Sequence, residues 1–504
     1  MSMPAEHLPT AMTLSELLQG YAHAPAVPVA GIASDSRLLR PGDLFLACGG
    51  LSGHGLDYLD HAIRSGVAAV AFDADTGTTP VGSYAVPVIP VPGLRQHLGA
   101  IANRFYASPS QALRVVGITG TNGKTTIAWL IAQCLLQLQK PCGYIGTLGH
   151  GIGELAGGEG LTTPDVIELQ ALLADYRDAG ASYAAVEVSS HALAQRRIDG
   201  VEFDTVLFTN LSRDHLDYHD DMQSYGETKA SLFVDYVARH RIVNVDSDFG
   251  ARLAARLGPD AIVVATDPDR VGDGRTFVAV RSIVASENGA RVNVHTSWGE
   301  GAFTLPLAGQ FNVTNAAAVL AFLLCHEIPL PQACDLLANL SAPPGRMQRV
   351  AGAKRAPAVY IDFAHSPAAL EGALRALRAH CEGELWCVFG CGGDRDKGKR
   401  GQMGHVAERY ADHVIVTSDN PRNEAADEII AMIVAGQTSM DATTIIEDRA
   451  TAIAWAIREA GPQDLVLIAG KGHETQQIVG DQRRPFSDFS TATANLALRT
   501  EAAE

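Results

Sequence analysis

A run of ten residues, 117–126, has the residue types of a phosphate-binding loop. It reads Gly-Ile-Thr-Gly-Thr-Asn-Gly-Lys-Thr-Thr and lies between an apolar strand pattern at 113–116 and a helical pattern at 127–139. Glycines in such a turn leave backbone N–H groups free to point at phosphate oxygens. Lys124 adds a positive charge for the outer phosphates, and Thr125 offers a hydroxyl to Mg²⁺. We therefore expect this chain to use a nucleotide.

The loop departs from the usual spacing of phosphate-binding loops. The usual pattern, G-x-x-x-x-G-K-[ST], would place a glycine where this chain has Ile118, and its glycines fall at 117, 120 and 123 instead. A glycine-rich turn that only begins a helix is the alternative interpretation. The strand before the loop and the helix after it favour the nucleotide site.

Two further strand patterns of the same region end in groups that could hold a metal ion. Glu187 lies in the apolar run 183–188, where an acid is unexpected unless it meets a cation. His215 follows the run 205–209 within an Arg-Asp-His-Leu-Asp cluster. With Thr125 they could complete a Mg²⁺ site, since parallel strands end at one sheet edge. A solvated carboxylate and a core histidine are the alternatives, and each residue taken alone favours them.

Polar clusters also follow strand patterns in the last third of the chain. The basic run 394–400 comes directly after a Gly-Cys-Gly-Gly segment, which favours close approach to a phosphate or carboxylate. The turn 419–422, Asp-Asn-Pro-Arg, pairs an acid with a base and fits a zwitterionic amino acid, with a plain β-turn as the alternative. Further clusters lie at 362–365 and 470–474. Lys229, by contrast, has the local sequence of a solvated helix lysine.

The elements that must position these groups are those of an α/β protein with three domains. Residues 1–113 indicate a small α/β unit. Residues 114–340 alternate strand and helix patterns, which is typical of a mostly parallel sheet with helices on both faces. The proline-rich break at 341–346 indicates a linker or domain entry, and 341–504 repeat the alternation. We predict domain bounds at these positions.

The composition excludes several classes of protein. The 504 residues are 47% apolar and carry a formal net charge of −17, which argues against a general binder of nucleic acid or anionic membranes. Eight cysteines show no C-x-x-C pair and no zinc spacing, which is typical of reduced cytosolic thiols. We see no secretory signal in residues 1–13 and no apolar run near the ~20 residues of a membrane helix. We expect a cytoplasmic protein without membrane insertion.

The motifs together resemble the Mur ligase family, ATP-dependent enzymes that form amide bonds in peptidoglycan synthesis. The resemblance covers nearly the whole chain and rests on the segments 120–126, 187–191, 209–217, 344–346 and 362–365. It implies an N-terminal UDP-binding domain, a central ATP-binding domain with a P-loop sheet, and a C-terminal Rossmann-like domain that brings the amino acid. It also implies roles in cell shape and cell division, through the cell wall.

Within that family, the turn 419–422 resembles the recognition motif of members that add meso-diaminopimelate to UDP-MurNAc-L-Ala-D-Glu. Lysine-adding relatives lack its arginine. The implied mechanism has ATP phosphorylate the D-Glu γ-carboxylate, after which the amine of diaminopimelate attacks the acyl phosphate and phosphate leaves. The implied cofactors are ATP and Mg²⁺, and we expect a monomer that binds no nucleic acid.

The resemblance implies roles for individual residues as well. Those expected to hold ATP are Gly120, Thr121, Asn122, Gly123, Lys124, Thr125, Thr126, Asn312, Asn315, Arg346 and His365. Those expected at the uridine nucleotide are Ser34, Ser36, Leu51, Ser52 and Gly53, although the two first serines could equally be turn hydroxyls. Those expected at the muramoyl dipeptide are Thr162, Thr163, Ser189, Gln195 and Arg197. Those expected at diaminopimelate are Arg395, Asp419, Asn420, Pro421, Arg422, Gly470 and Glu474.

Four residues are implied to be catalytic, namely Lys124, Glu187, His215 and Lys229. The last three, with Thr125, are the implied metal ligands. Lys229 aligns with a lysine that relatives carry as a carbamate, which turns a cation into an anion able to orient Mg²⁺. This implication reverses the interpretation from its local sequence.

Two positions depart from relatives, since Leu161 stands where some have asparagine and Phe363 replaces a common tyrosine. Two alternatives share the phosphate chemistry: a lysine-adding ligase of the family and a folylpolyglutamate synthetase. A non-catalytic nucleotide-binding scaffold is an alternative of another class, but it would have no need of the polar clusters after the last strands.

Overall fold

The computed structural model describes residues 12–50, 53–157, 160–216, 218–286, 289–352 and 356–501. The chain forms two compact units, one of Met1–Lys124 with Leu135–Ile242 and one of Thr125–Cys134 with Val243–Glu504. Both units combine parallel sheets with helices, which confirms the predicted α/β class. The three predicted domain bounds stay a prediction. No helix among the described residues has the length and apolar composition of a membrane span.

The first unit begins with a four-stranded parallel sheet in the order β3-β4-β5-β6. Thr13 is the N-cap of the first helix and forms a capping box with Glu16. That helix ends at Leu17. The elements of this part are strands β1 (Met12–Thr13), β2 (Pro28–Val29), β3 (Gly31–Ala33), β4 (Asp43–Ala47), β5 (Ala69–Asp73) and β6 (Val88–Val91), and helices α1 (Leu14–Leu17), α2 (Leu59–Arg64), α3 (Leu94–Phe105) and α4 (Pro109–Ala112).

The second sheet of this unit carries the phosphate loop. The elements along this stretch of chain are strands β7 (Arg114–Thr119), β8 (Cys142–Gly146), β9 (Gly149–Ile152), β10 (Tyr183–Glu187), β11 (Phe203–Phe208) and β12 (Ala238–Asn244), and helices α5 (Lys124–Gln137), α6 (Val166–Asp178), α7 (Ser190–Ala194) and α8 (Met222–Val234). Within the first unit the order is β9-β8-β10-β7-β11, and only β9 is antiparallel to its neighbour. The register pairs Glu187 with Ile118 and Phe208 with Thr119. The ends of β7, β10 and β11 therefore lie at one edge, where the sequence placed its polar groups.

The second unit begins with four strands that pair in chain order. β13 is parallel to β14, β14 is antiparallel to β15, and β15 is antiparallel to β16. Helix α10 is apolar on nearly all sides and buried over most of its length. The elements are α9 (Asp248–Leu257), β13 (Ala261–Ala265), β14 (Thr276–Ser286), β15 (Gly289–Thr296), β16 (Gly299–Leu305), α10 (Gln310–Cys325) and α11 (Leu330–Leu337).

The rest of the second unit is a doubly wound sheet in the order β17-β18-β22-β19-β20-β21, with only β17 antiparallel. Its elements are strands β17 (Gln348–Val350), β18 (Ala358–Asp362), β19 (Leu385–Phe389), β20 (His413–Val416), β21 (Thr443–Ile445), β22 (Leu465–Ala469), β23 (Gln476–Val479) and β24 (Gln482–Pro485), and helices α12 (Pro367–Arg378), α13 (Gly398–Tyr410), α14 (Ala426–Val434), α15 (Arg449–Glu459) and α16 (Asp488–Glu501).

Alternate residues of β19 point to opposite faces of this sheet, which is why helices cover both. Cys387 and Phe389 pack in the core that includes α12, α13 and α14, and Trp386 and Val388 pack in the core that includes α15 and α16. The parallel strands end together, since Ala469 pairs with both Asp362 and Phe389. The polar clusters that follow β18, β19, β20 and β22 therefore share one edge.

Candidate functional site

The phosphate loop is held in shape by the segment that follows β11. Thr121 N–H donates to the Asn210 carbonyl at 2.9 Å, and Asn122 N–H donates to Asn210 Oδ1 at 3.0 Å. Thr209 Oγ1 donates to the Asn122 carbonyl at 2.6 Å. Gly120 has φ +145, and a Cβ there would lie 1.9 Å from Thr209 Oγ1, so only glycine fits. Thr209 and Asn210 were not predicted as site residues, although the sequence placed Thr209 at the end of a strand run and Asn210 directly after it.

Two lysines meet at the backbone of this loop. Lys124 Nζ donates to the carbonyls of Gly120 and Thr121, both at 2.9 Å, and Lys229 Nζ donates to the Gly120 carbonyl at 2.9 Å. Lys229 is 1% exposed and lies over the ring of Tyr225 at 4.5 Å. The interpretation of Lys229 as a solvated helix lysine, made from its local sequence, is therefore wrong.

Burial is the main cause that lowers the pKa of Lys229 well below its ordinary value, and the charge of Lys124 lowers it further. Asp214 acts in the opposite direction. Both effects shift the equilibrium of this side chain toward the neutral amine. A neutral amine is the nucleophilic form of lysine.

Glu187 is fully buried at the end of β10. Its Oε1 accepts hydrogen bonds from the Tyr144 hydroxyl at 2.5 Å and from Thr147 N–H at 3.0 Å, and its Oε2 accepts from the Thr147 hydroxyl at 3.2 Å. The same Thr147 hydroxyl lies 3.4 Å from Thr162 Oγ1. The solvated carboxylate considered from the sequence is wrong, because this acid is fully buried.

His215 lies in the loop after β11 in a left-handed conformation, with φ +52. Its ring is 46% exposed, with Nε2 3.6 Å from Asp214 Oδ2, and it contacts His191 edge-on at 4.9 Å. The alternative of a core histidine is wrong for this residue. An exposed imidazole beside a carboxylate can hold a proton or a metal ion.

The donor chemistry of the predicted metal ligands fits Mg²⁺ in part. Glu187 supplies a carboxylate, and Thr125 supplies a hydroxyl at the start of α5. Lys229 as an amine offers no oxygen, so it would join such a site only after gaining a carboxylate. The ligand set stays a prediction.

The residues predicted for the muramoyl dipeptide form one network beside Glu187. Thr163 Oγ1 donates to the Glu187 carbonyl at 2.7 Å and accepts from Ser189 N–H at 3.0 Å. Arg197 Nη1 donates to the Thr163 carbonyl at 2.9 Å, and its Nη2 donates to Gln195 Oε1 at 2.6 Å. Burial lowers the pKa of Arg197. The structure thus brings this predicted set together within the first unit.

The residues predicted for the uridine nucleotide are less connected. Ser34 is exposed and Ser36 is buried on the turn after β3. Leu51 and Ser52 lie outside the described residues. The carbonyl of Gly53 accepts a hydrogen bond from Gly50 N–H at 2.7 Å.

The second unit holds the remaining nucleotide candidates. Thr125 and Thr126 are buried at the start of α5. Two buried asparagines of α10 are joined, with Asn315 Nδ2 donating to Asn312 Oδ1 at 3.3 Å. The nucleotide-binding roles of these four residues stay predictions, since the contacts described are internal to the protein.

Arg346 and His365 meet at the ring of Phe363. The Arg346 guanidinium lies 4.4 Å from the centre of that ring, and the His365 ring lies 4.6 Å from it. Arg346 Nε is buried without a hydrogen-bond partner among the described residues, which fits a ligand oxygen. His473 also contacts Phe363, and burial, with the charge of Arg346, lowers the pKa of His473 to about 4.

The residues predicted for the amino acid converge after β19, β20 and β22. Asn420 Nδ2 donates to Glu474 Oε2 at 2.7 Å. Gly470 has φ +115, and a Cβ there would lie 2.6 Å from Asp419 Oδ2. Arg422 Nη1 donates to the Gly393 carbonyl at 2.8 Å.

Gly392 shows where the two predicted arginines lie. A Cβ at Gly392 would meet Arg422 Nη1 at 2.9 Å and Arg395 Cγ at 3.8 Å, so both side chains flank this glycine. The carbonyl oxygen of Pro421, the other predicted residue of the turn, faces the next glycine. The sequence did not predict Lys471, which is fully buried and contacts both Asn420 and Glu474. Its position directly after Gly470 was the only signal.

Comparison with known proteins agrees with this arrangement. Three family models match successive segments: "Mur ligase family, catalytic domain" at 28–106, "Mur ligase middle domain" at 118–323 and "Mur ligase, glutamate ligase domain" at 345–472. A Coxiella burnetii protein is 46% identical over 96% of this chain and 99% of its own length. The chain belongs to the Mur ligase family. The predictions of the family and of an amide-bond-forming ligase are confirmed, and the non-catalytic scaffold is excluded.

Relatives of this ligase carry a common name. The Coxiella protein and a Pseudomonas putida protein, 45% identical over 96% of this chain and 98% of its own length, are each named UDP-N-acetylmuramoyl-L-alanyl-D-glutamate–2,6-diaminopimelate ligase. A solved structure of a protein with that name matches with a TM-score of 0.71 and 32% identity, over 97% of this ligase and all of that chain. The MurF ligase of Thermotoga maritima, solved in complex with ADP, matches with a TM-score of 0.63 at 17% identity over 94% of this ligase and 98% of that chain, and shows a shared fold.

Proposed function

We propose that this ligase adds meso-2,6-diaminopimelate to the D-Glu γ-carboxylate of UDP-MurNAc-L-Ala-D-Glu, with ATP as the source of energy, in peptidoglycan precursor synthesis. The observation that carries the proposal is the 46% identity, over nearly the full length, to a relative named for that activity. Arg422 supports the choice of amino acid, because it lies beside Arg395 at the edge where Asp419 and Glu474 also lie.

The reaction has two steps. The γ-carboxylate of the dipeptide takes the terminal phosphoryl group of ATP, which gives an acyl phosphate and ADP. The amine of diaminopimelate then attacks the acyl carbon, the C–O bond to phosphate breaks, and an amide forms as phosphate leaves and the amine loses a proton.

The residues of the first unit act in the first step. The N–H groups of the loop other than those of Thr121 and Asn122, which donate to Asn210, would bind the phosphates together with the ammonium of Lys124, which turns from the loop carbonyls that it contacts. The network of Thr163, Ser189 and Arg197 orients the dipeptide close to Glu187. Mg²⁺, when bound, neutralises charge on the transferred phosphoryl group.

We propose Glu187, His215, Thr125 and a carbamate on Lys229 as the groups that hold the metal ion or its water molecules. The lowered pKa of Lys229 supports the modification, since the amine must be neutral to attack CO₂. The carbamate would place an anion beside the phosphate loop where the amine now lies.

In the second step, residues of the second unit present the amino acid. An arginine binds a carboxylate through two parallel hydrogen bonds, and Arg422 and Arg395 would bind the distal carboxylate of diaminopimelate in this way. Asp419 and Glu474 are the acids that would receive ammonium groups.

We also propose that the enzyme acts as a monomer in the cytoplasm.

The test measures ADP formation by the purified enzyme with UDP-MurNAc-L-Ala-D-Glu. We expect turnover that requires both the dipeptide and meso-diaminopimelate, with L-lysine at least about tenfold poorer in kcat/KM because it lacks the carboxylate that Arg422 would bind. Equal use of L-lysine would contradict the proposed substrate. Turnover indifferent to both substrates would contradict the ligase reaction.

A further inference from the structure

Lys471 is a buried cation at the amino-acid edge that the proposed mechanism leaves unused. Its side chain follows β22 and is 0% exposed. Nζ donates to Glu474 Oε2 at 2.8 Å, to Asn420 Oδ1 at 3.0 Å and to the Gln476 carbonyl at 2.7 Å. An ammonium has three N–H donors, so all are used. A buried charge costs free energy unless it is paired in this way.

One consequence concerns the amide of Asn420. Its Oδ1 accepts from Lys471 and also from Ile478 N–H at 2.9 Å. An ammonium and a backbone N–H only donate, so the atom that faces them must be the amide oxygen. The NH₂ group is therefore turned to Glu474 Oε2, at 2.7 Å, and its second N–H makes no hydrogen bond within the described part of the chain.

A second consequence concerns the carboxylate of Glu474. Oε2 accepts from both Lys471 and Asn420, whereas Oε1 accepts no hydrogen bond from the described residues. The side chain is 34% exposed, so Oε1 can face a ligand. Two donors on Oε2 restrain the carboxylate and leave Oε1 as the oxygen available to a ligand.

The hairpin β23–β24 is tied to the same cation. Lys471 binds Gln476 at the start of β23, and Arg422 N–H donates to the Ile478 carbonyl at 3.1 Å. The turn 419–422 and Glu474 are thus both fixed relative to Lys471.

We propose that Lys471 is a positioning residue for the amino-acid substrate. It holds Oε2 of Glu474 and Oδ1 of Asn420, and so presents Oε1 of Glu474 to an ammonium group and the remaining Asn420 N–H to a carboxylate. The proposal rests on the proposed function. In this proposal Lys471 acts through its neighbours and does not itself contact the reacting atoms.

The experiment compares Lys471→Met, Glu474→Gln and the double variant, with wild-type enzyme as reference. We expect Lys471→Met to raise KM for meso-diaminopimelate by about tenfold to a hundredfold, because a charged hydrogen-bond partner is lost from each of two ligand-binding side chains. KM for ATP and for the UDP-dipeptide should change by less than about twofold. In the double variant, the two effects should be strongly non-additive, because one residue acts through the other.

The first step gives an independent readout. Acyl phosphate formed from ATP and the UDP-dipeptide, without amino acid, is trapped with hydroxylamine as the hydroxamate. We expect Lys471→Met to form it at the wild-type rate. Arg378→Met is the control, since it removes another ion-paired cation of the same unit and should leave all KM values unchanged.

The outcomes of these measurements distinguish a failure of the positioning role of Lys471 from a failure of the proposed function. Wild-type enzyme that forms neither hydroxamate nor amide product would contradict the proposed function. Wild-type enzyme that ligates, with Lys471→Met unchanged in KM for diaminopimelate or with additive effects in the cycle, would overturn the positioning role. If Lys471→Met fails to fold, Lys471→Arg keeps the buried charge but changes its geometry. The same rise in KM for the amino acid alone is then expected, and an equal rise for all three substrates would overturn the proposal.

Discussion

Lys229 Nζ donates a 2.9 Å hydrogen bond to the carbonyl oxygen of Gly120, so helix α8 contacts the backbone of the phosphate loop. Lys124 donates to the same carbonyl at the same distance. Two ammonium groups on one carbonyl repel each other, and Lys229 is the buried one. Burial and then the charge of Lys124 lower the pKa of Lys229, and the contact with Gly120 places any modification of the amine directly against the loop.

The first prediction follows from that contact. We expect enzyme prepared in CO₂-free buffer to lose activity and to regain it when bicarbonate is added, because the carbamate forms reversibly. Lys229→Met should be at least about 100-fold less active and should not respond to bicarbonate. Lys140→Met is the control. Lys140 follows the end of α5, and its variant should behave as wild type. An electron-density map at near-neutral pH that shows a bare amine on Lys229 would count against the carbamate.

The second prediction concerns the buried ion pair of Arg449 and Asp488, both 0% exposed. Arg449 donates to both carboxylate oxygens at 2.7 Å and to the Ala469 carbonyl at 2.9 Å, so it ties the start of α16 to the end of β22. Arg449→Met leaves a buried carboxylate without its partner, which should lower the free energy of unfolding by about 3–5 kcal/mol.

The matched variant for this pair is Arg449→Met with Asp488→Leu. Removing both charges should recover much of the lost stability, since no uncompensated charge stays in the core. Urea denaturation followed by circular dichroism measures all three proteins. A double variant less stable than Arg449→Met would show that the unpaired carboxylate does not cause the loss in the free energy of unfolding.

Sequence reasoning located the elements and the edge of the sheet but not the contacts between distant residues. Strand β10 covers 183–187 of the predicted run 183–188, and the loop lies between a strand and a helix as predicted. Apolar runs and glycine spacing are local signals, so they are visible in the sequence. Glu187 was recognised as an unusual acid, but its donors Tyr144 and Thr147 lie about 40 residues earlier.

The same reason explains why Lys229 was misinterpreted from its local sequence and why Lys471 was not predicted. The local sequence of Lys229 is that of an ordinary helix, and only its contact with Gly120, 109 residues away, shows that it is buried. Lys471 is three residues from Glu474 but 51 from Asn420. Burial of a cation depends on partners that the fold supplies, and periodicity carries no information about them.

The third prediction uses the lowered pKa of His473, about 4 against 6.5 for a free histidine. Between these values the unfolded chain binds more protons than the folded chain, so stability falls as the pH drops from 6.5 to 4. The total loss should be at most about 3 kcal/mol, reduced by the partial exposure of the ring. His473→Gln should remove this part of the pH dependence.

Urea midpoints between pH 4.5 and 7 measure the effect. His405→Gln is the control, because that side chain is 54% exposed and its removal should leave the slope unchanged. A wild-type slope that survives in His473→Gln would assign the pH dependence to another group.

The fourth prediction tests the substrate choice at Arg422. Arg422→Ala removes a guanidinium that flanks Gly392, and Arg422→Asn replaces it with a shorter amide. We expect both to raise KM for meso-diaminopimelate at least about tenfold, because a bidentate bond to a carboxylate is lost, and to leave KM for ATP within about twofold. L-lysine should be affected less, since it has no distal carboxylate for the arginine to bind.

Arg422 also donates to the Gly393 carbonyl, so its loss could shift the loop that carries Arg395. Arg422→Lys separates these roles, because it keeps the charge and a donor but loses the planar pair of N–H groups. An intermediate KM is expected for it. Arg484→Ala, an exposed arginine of β24, is the control and should match wild type. Unaltered KM for diaminopimelate in Arg422→Ala would remove the structural basis for choosing this amino acid over L-lysine.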